Sequence, residues 1–158
     1  MTSSSKPDWH ALLAPLPADA AVGRKPVSPE ELARKPESKV IAGWESLTVD
    51  LSAGAAGLRH LLVTLDATGT PISAGDWVLY CRGNPVEYTH ESIGGRIEPD
   101  GSFNGTRWRS VSVEVAGQEE PEQRETERSN PAPEDIEALM GLVRELLRRA
   151  PKAAGQRQ

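Results

Sequence analysis

The stretch from residue 60 to residue 115 constrains the fold most, because its apolar residues alternate with polar ones between short turn sequences. A period of two is typical of β-strands, whose successive side chains point to opposite faces of a sheet. The segments 66–70 and 98–102 each place a glycine where a hairpin turn favours a positive φ. Strands joined by such short turns pair with their sequence neighbours, which predicts an antiparallel meander.

A hairpin centred on Gly83 and Asn84 is the clearest part of this meander. A two-residue turn at this point predicts that Trp77 pairs with His90. The resulting register gives one face that we expect to be buried, with Trp77, Leu79, Cys81, Val86, Tyr88 and His90. The opposite face is expected to be mixed and in contact with water, with Val78, Tyr80, Arg82, Glu87, Thr89 and Glu91.

The predicted fold class is mainly β, with about six strands in a β domain that covers residues 37–115. Its sheet is expected either to curve strongly or to close into a small barrel. Short N-terminal helical turns and one C-terminal amphipathic helix complete the prediction. The predicted strands cover residues 39–51, 60–65, 72–81, 86–90, 93–97 and 103–115.

The N-terminal extension, residues 1–36, combines a short helical turn near Trp9, an Ala/Pro-rich linker and a capped helix at 29–35. Its apolar residues Trp9, Leu12, Leu13 and Leu16 are more than a free tail needs. Two interpretations stay open: the segment latches onto the domain's own surface, or it is a linear motif for a partner. Residues 116–130 are charged and lack large apolar side chains, which predicts a disordered linker.

Residues 131–150 carry the apolar spacing of an amphipathic helix, followed by a disordered tail at 151–158. An isolated helix of this length is only marginally stable in water, so its apolar face requires a surface. The sequence leaves three surfaces open: the chain's own sheet, a second copy, or another protein. The predicted partner-binding face consists of Ile136, Leu139, Met140, Val143, Leu146 and Leu147.

The net charge of -5 argues against a nucleic-acid partner, because phosphates require a basic surface. The first residues lack the charged and apolar regions of a signal peptide, and no long apolar run predicts a membrane span. We therefore expect a cytoplasmic protein. The single cysteine, Cys81, cannot form an internal disulfide and is expected to be an inert buried thiol.

Candidate chemistry is sparse in this sequence. His10, His60 and His90 lack the spacing of metal ligands, and neither a Gly-x-Ser-x-Gly nor a Walker motif is present. We expect no metal and no cofactor. The sequence favours a non-enzymatic binding or assembly module whose C-terminal helix docks on a partner or a second copy. The alternative is a small-molecule-binding or isomerase-like barrel that accepts an apolar ligand in a cavity lined by Trp77, Tyr88, His90 and Trp108.

Overall fold

The computed structural model describes residues 12–27, 43–52 and 57–151, which form one antiparallel sheet and one helix. The strands lie in sequence order across the sheet, which confirms the predicted meander. Seven strands are present rather than six: β1 (Gly23–Pro26), β2 (Glu45–Ser52), β3 (Gly57–Leu65), β4 (Pro71–Arg82), β5 (Glu87–Ile97), β6 (Phe103–Val113) and β7 (Glu122–Ser129). The helix, α1, covers Pro133–Arg149.

The sheet is open, because β1 and β7 lie at opposite edges and do not pair with each other. The predicted closure into a barrel is therefore wrong, whereas the mainly β meander is confirmed. No helix in the described residues combines the length and the apolar character needed to cross a lipid bilayer.

The two predicted glycine turns form as expected. The Asp66 amide donates to the Thr70 carbonyl over 2.9 Å, and the Glu98 amide donates to the Ser102 carbonyl over 2.8 Å. Gly69 and Gly101 have φ values of 87° and 91°, which a residue with a Cβ rarely adopts. These turns set the register of the β3–β4 and β5–β6 pairs.

The predicted register of the β4–β5 hairpin is wrong by two residues. Trp77 pairs with Ser92 instead of His90, and the last pair before the loop is Arg82 with Glu87. In the predicted two-residue turn Arg82 would face Pro85, which has no N–H group to return the ladder hydrogen bond. A four-residue loop avoids this pairing. Because the shift is an even number, every side chain keeps its predicted face.

Two segments predicted as linkers are edge strands. β1 lies in the predicted Ala/Pro-rich linker, and β7 lies in the predicted disordered linker with every residue exposed. β7 is held on the sheet without an apolar residue, because its backbone pairs with β6. An ion pair between Glu125 and Arg109 adds to this pairing. The predicted strands 86–90 and 93–97 form the single strand β5.

The helix predicted at 29–35, the turn near Trp9, residues 39–42 and the tail at 152–158 lie outside the described residues. The predicted first strand is present in its second half as β2. The C-terminal helix, in contrast, has its predicted position and length.

The hydrophobic core lies between one face of the sheet and two covering elements, α1 and the N-terminal strap, residues 12–22. Leu139, Leu142, Val143 and Leu146 of α1 are buried, as are Leu12 and Leu16 of the strap. The latch interpretation of the N-terminal segment is therefore confirmed for its described part. The sheet contributes Leu47, Val49, Leu61, Val63, Leu65, Ala74, Val78, Tyr80 and Ile93 to this core.

The buried face is the opposite of the predicted one. Val78 and Tyr80 are 0% and 3% exposed, whereas Trp77, Leu79 and Cys81 lie half-buried on the uncovered face. Of the charged residues predicted on this face, Glu91 is buried, whereas Arg82 and Glu87 are exposed beside the loop of the hairpin. α1 and the strap pack against the centre of this face, which therefore forms the core side of the sheet.

One buried ion pair ties the strap to the sheet. Arg59 of β3 and Asp76 of β4 are 3% and 0% exposed, with 3.0 Å between the Arg59 Nη2 and Asp76 Oδ2 atoms. The Leu13 amide donates to Asp76 over 2.7 Å, and Arg59 donates to the Ala14 carbonyl over 2.9 Å. Burial raises the pKa of Asp76, while Arg59 and the Leu13 amide act in the opposite direction.

Candidate functional site

The face of the sheet that α1 leaves uncovered, here called the open face, carries an apolar and aromatic surface. Leu58 and Leu62 of β3 are 58% and 37% exposed. Large exposed apolar patches on folded proteins usually mark binding sites. Strand alternation places these residues on the open face: Thr48, Asp50, Leu58, His60, Leu62, Trp77, Leu79, Cys81, Tyr88, His90, Ser92, Trp108, Ser110, Thr126 and Arg128.

Four rings from four neighbouring strands form a continuous aromatic row across this face. The ring centroids are 5.4 Å apart for His60 and Trp77, 5.5 Å for Trp77 and His90, and 5.1 Å for His90 and Trp108. Tilted and edge-on rings at these distances attract each other. The row depends on register, because Trp77 pairs with His60 on one side and with Ser92 on the other.

The structure brings together three of the four residues predicted to line a pocket, namely Trp77, His90 and Trp108. Tyr88 lies two positions from His90 on the same face, and its hydroxyl donates to the Glu114 carboxylate. These side chains line an uncovered sheet rather than the interior of a barrel. Sequence reasoning missed His60, whose place in the aromatic row follows only from the β3–β4 register.

His90 is a half-buried histidine within the aromatic row. Burial lowers the pKa of its imidazole, and its Nδ1 atom has no hydrogen-bond partner among the described residues. Its neighbours Trp77 and Trp108 are uncharged, as are Leu79 and Ser110, which pair with it in the sheet. Burial therefore favours the neutral form of the imidazole at the centre of the row.

Among the described residues, two with opposite charges flank the aromatic row in the sheet register. At one end Asp50 of β2, whose side chain is 78% exposed, accepts a hydrogen bond of 2.6 Å from His60 Nδ1. At the other end Arg128 of β7 pairs with Trp108 in the sheet and is exposed. Arg128 makes no ion pair with any residue that the structure describes. The aromatic row thus has a negative group at one end and a positive group at the other.

The predicted partner-binding face of α1 lies against the chain's own sheet. Leu139, Val143 and Leu146 are buried there, and Ile136 and Met140 are partly buried. Leu147 is 37% exposed. The apolar face of this helix therefore packs on the sheet of the same chain.

A second feature is a cavity of about 330 Å³ between the N-terminus of α1 and strands β5 to β7. Glu91, Arg107 and Asp135 contribute charged groups to it, and Arg107 lies 3.6 Å from Glu91 and 2.9 Å from Asp135. This cavity is hard to predict from the sequence, because its walls depend on where α1 begins relative to the sheet. The lining is Glu91, Arg107, Trp108, Arg109, Glu127, Ser129, Asn130, Ala132 and Asp135.

No group of three or more His, Cys, Asp or Glu side chains converges as a metal site within the described part of the chain. Cys81 is a free thiol on the open face, half-buried rather than in the core as predicted. In comparisons with known proteins, no family model, no curated protein and no solved structure matches this chain.

Proposed function

We propose that the protein is a non-enzymatic assembly module that binds a second copy of itself through the open face. The observation that carries this proposal is the pair of opposite charges, Asp50 and Arg128, at the two ends of the aromatic row. The assembly role expected from the sequence is retained. The binding surface moves from α1 to the open face, because the core-facing leucines of α1 are already buried.

A two-fold axis parallel to the strands, between β4 and β5, makes the open face complementary to itself. This axis reverses the strand order in the second copy, so Asp50 of one copy faces Arg128 of the other. Trp77 then faces Ser92 of the second copy, which places a large side chain against a small one. Two sheets packed face to face in this aligned way lie about 10 Å apart.

The size of the open face suits a dimer of modest affinity. Six strands spaced by about 4.8 Å, with about 27 Å of strand length, give roughly 600 Å² per copy. The resulting total of roughly 1,200 Å² lies at the lower end of specific protein interfaces. We therefore expect a concentration-dependent equilibrium between monomer and dimer rather than a permanent dimer.

Replacement of the most exposed leucine on the open face tests this proposal. In the full chain, Leu58→Lys places a charge where the second copy packs, so it should shift the monomer–dimer equilibrium at least about tenfold toward monomer. Sedimentation velocity over a range of protein concentrations measures this shift. The matched control is Leu147→Lys, an exposed leucine on α1.

Dimers that survive Leu58→Lys but dissociate in Leu147→Lys would return the binding surface to α1 and overturn the proposal. A wild-type protein that stays monomeric at all concentrations would also contradict it. In that case quenching of the Trp77 and Trp108 fluorescence by a small apolar probe would support the small-molecule alternative instead.

A further inference from the structure

The cavity beside the N-terminus of α1 contains a carboxylate oxygen without a partner. Glu91 of β5 has a side chain that is 5% exposed, and its Oε2 atom lies 3.6 Å from an Arg107 nitrogen. Its Oε1 atom is buried and has no hydrogen-bond partner among the described residues. A buried acceptor without a donor is costly, so such an atom lining a cavity points to a ligand that donates to it.

Carboxylates outnumber guanidinium groups around this cavity. Arg107 is shared between Glu91 and Asp135, and Arg109 forms an ion pair with Glu125. Glu127 also lines the cavity and makes no ion pair with a described residue. The lining therefore has two guanidinium groups and three carboxylates, those of Glu91, Glu127 and Asp135, which leaves one negative charge in excess.

The pKa of the Glu91 carboxyl reflects its burial in the cavity wall. Burial raises the pKa of the Glu91 carboxyl, although Arg107 and Arg109 act in the opposite direction, and Asp135 adds to the increase. The two arginines thus leave the Glu91 carboxylate incompletely stabilised. A further positive charge at Oε1 would complete its stabilisation.

We infer that this cavity binds a small organic cation with a primary ammonium group, held between Glu91 and Glu127. An ammonium group donates three hydrogen bonds, which suits the free oxygen of Glu91 and the unpaired carboxylate of Glu127. Ser129 and Asn130 supply further polar atoms at the lining. A cavity of about 330 Å³ has room for about ten water molecules, and hence for a linear diamine.

Isothermal titration of the full chain with putrescine (1,4-diaminobutane) tests this inference, with succinate as a dianion of the same carbon number. Putrescine should bind with a stoichiometry of one per chain, and succinate should not bind. Glu91→Gln should weaken putrescine binding at least about tenfold, because it removes a hydrogen-bonded charge pair. Glu127→Gln, at an exposed position, should weaken binding without a risk to the fold.

The matched control is Glu137→Gln, which removes one exposed carboxylate of α1 outside the cavity and should leave binding unchanged. Circular dichroism and thermal unfolding of each variant separate loss of the site from loss of the fold. The inference is overturned if putrescine fails to bind at millimolar concentration, or if succinate binds equally well. Equal binding by Glu127→Gln and Glu137→Gln would likewise overturn it, because the cation would then not recognise this cavity.

Discussion

The two faces of the sheet differ in a way that residue type alone does not suggest. The covered face contains the charged residues Arg59, Asp76 and Glu91, yet these are almost completely buried. The open face contains two tryptophans and three leucines, yet Leu58 and Leu62 are exposed. The comparison shows that burial depends on which face the helix covers and whether the charges there find partners. The aromatic face carries exposed leucines and is not covered by α1 or the strap.

The largest effect should come from the buried ion pair of the covered face. Asp76→Ala leaves the Arg59 charge buried without its partner, so the free energy of unfolding should fall by about 3–5 kcal/mol. Urea denaturation measures this loss. In the double variant Arg59→Met with Asp76→Leu, which removes both charges, most of the lost stability should return.

The control for this variant is the exposed pair of Arg96 and Glu98, whose side chains are 73% and 32% exposed. Arg96→Met should change the free energy of unfolding by less than about 1 kcal/mol. If Asp76→Ala cost no more than Arg96→Met, the contrast between a buried and an exposed polar network would be wrong.

A smaller effect is expected on the open face, from the protonation of His90. Burial lowers its folded-state pKa below the ordinary value of 6.5, so the unfolded chain binds protons at a higher pH than the folded chain. The stabilising contribution of neutral His90 is therefore present above about pH 6.5 and is lost as the pH falls toward the folded-state pKa. Thermal unfolding at fixed protein concentration from pH 7.5 to 5 measures this loss.

The variant His90→Gln should lose less stability than the wild type over the same pH range. Both proteins contain the same other titratable groups, including Asp76 and Glu91. The difference in stability between the two proteins at each pH therefore reports the titration of His90. Equal pH dependence of the two proteins would show that His90 is as well solvated in the folded state as in the unfolded chain.

Much of this fold could be predicted from the sequence, because periodicity and turn chemistry are local. The glycine turns at Gly69 and Gly101 and the helix α1 follow from residues close together in the chain. β7 could not be predicted in this way, since its charged residues are held by pairing with β6. The β4–β5 register failed at Pro85, whose missing N–H group excludes the tighter turn.

The candidate site could be predicted only in part. Alternation alone placed Trp77, Tyr88 and His90 on one face, but it could not decide whether that face is covered. That outcome depends on the long-range packing of α1 and the strap. The place of His60 in the aromatic row and the cavity around Glu91 depend on cross-strand register and on the position of α1, which no local pattern encodes.

The most direct test of self-association through the open face is a charge exchange between the two ends of the aromatic row. Sedimentation equilibrium would compare the wild type with Asp50→Arg, Arg128→Asp and the double variant. The account predicts that each single variant shifts the equilibrium toward the 17.0 kDa monomer, and that the double variant recovers dimers of twice that mass. Dimers that persist equally in all four proteins would contradict the account, as would a double variant that is weaker than both single variants.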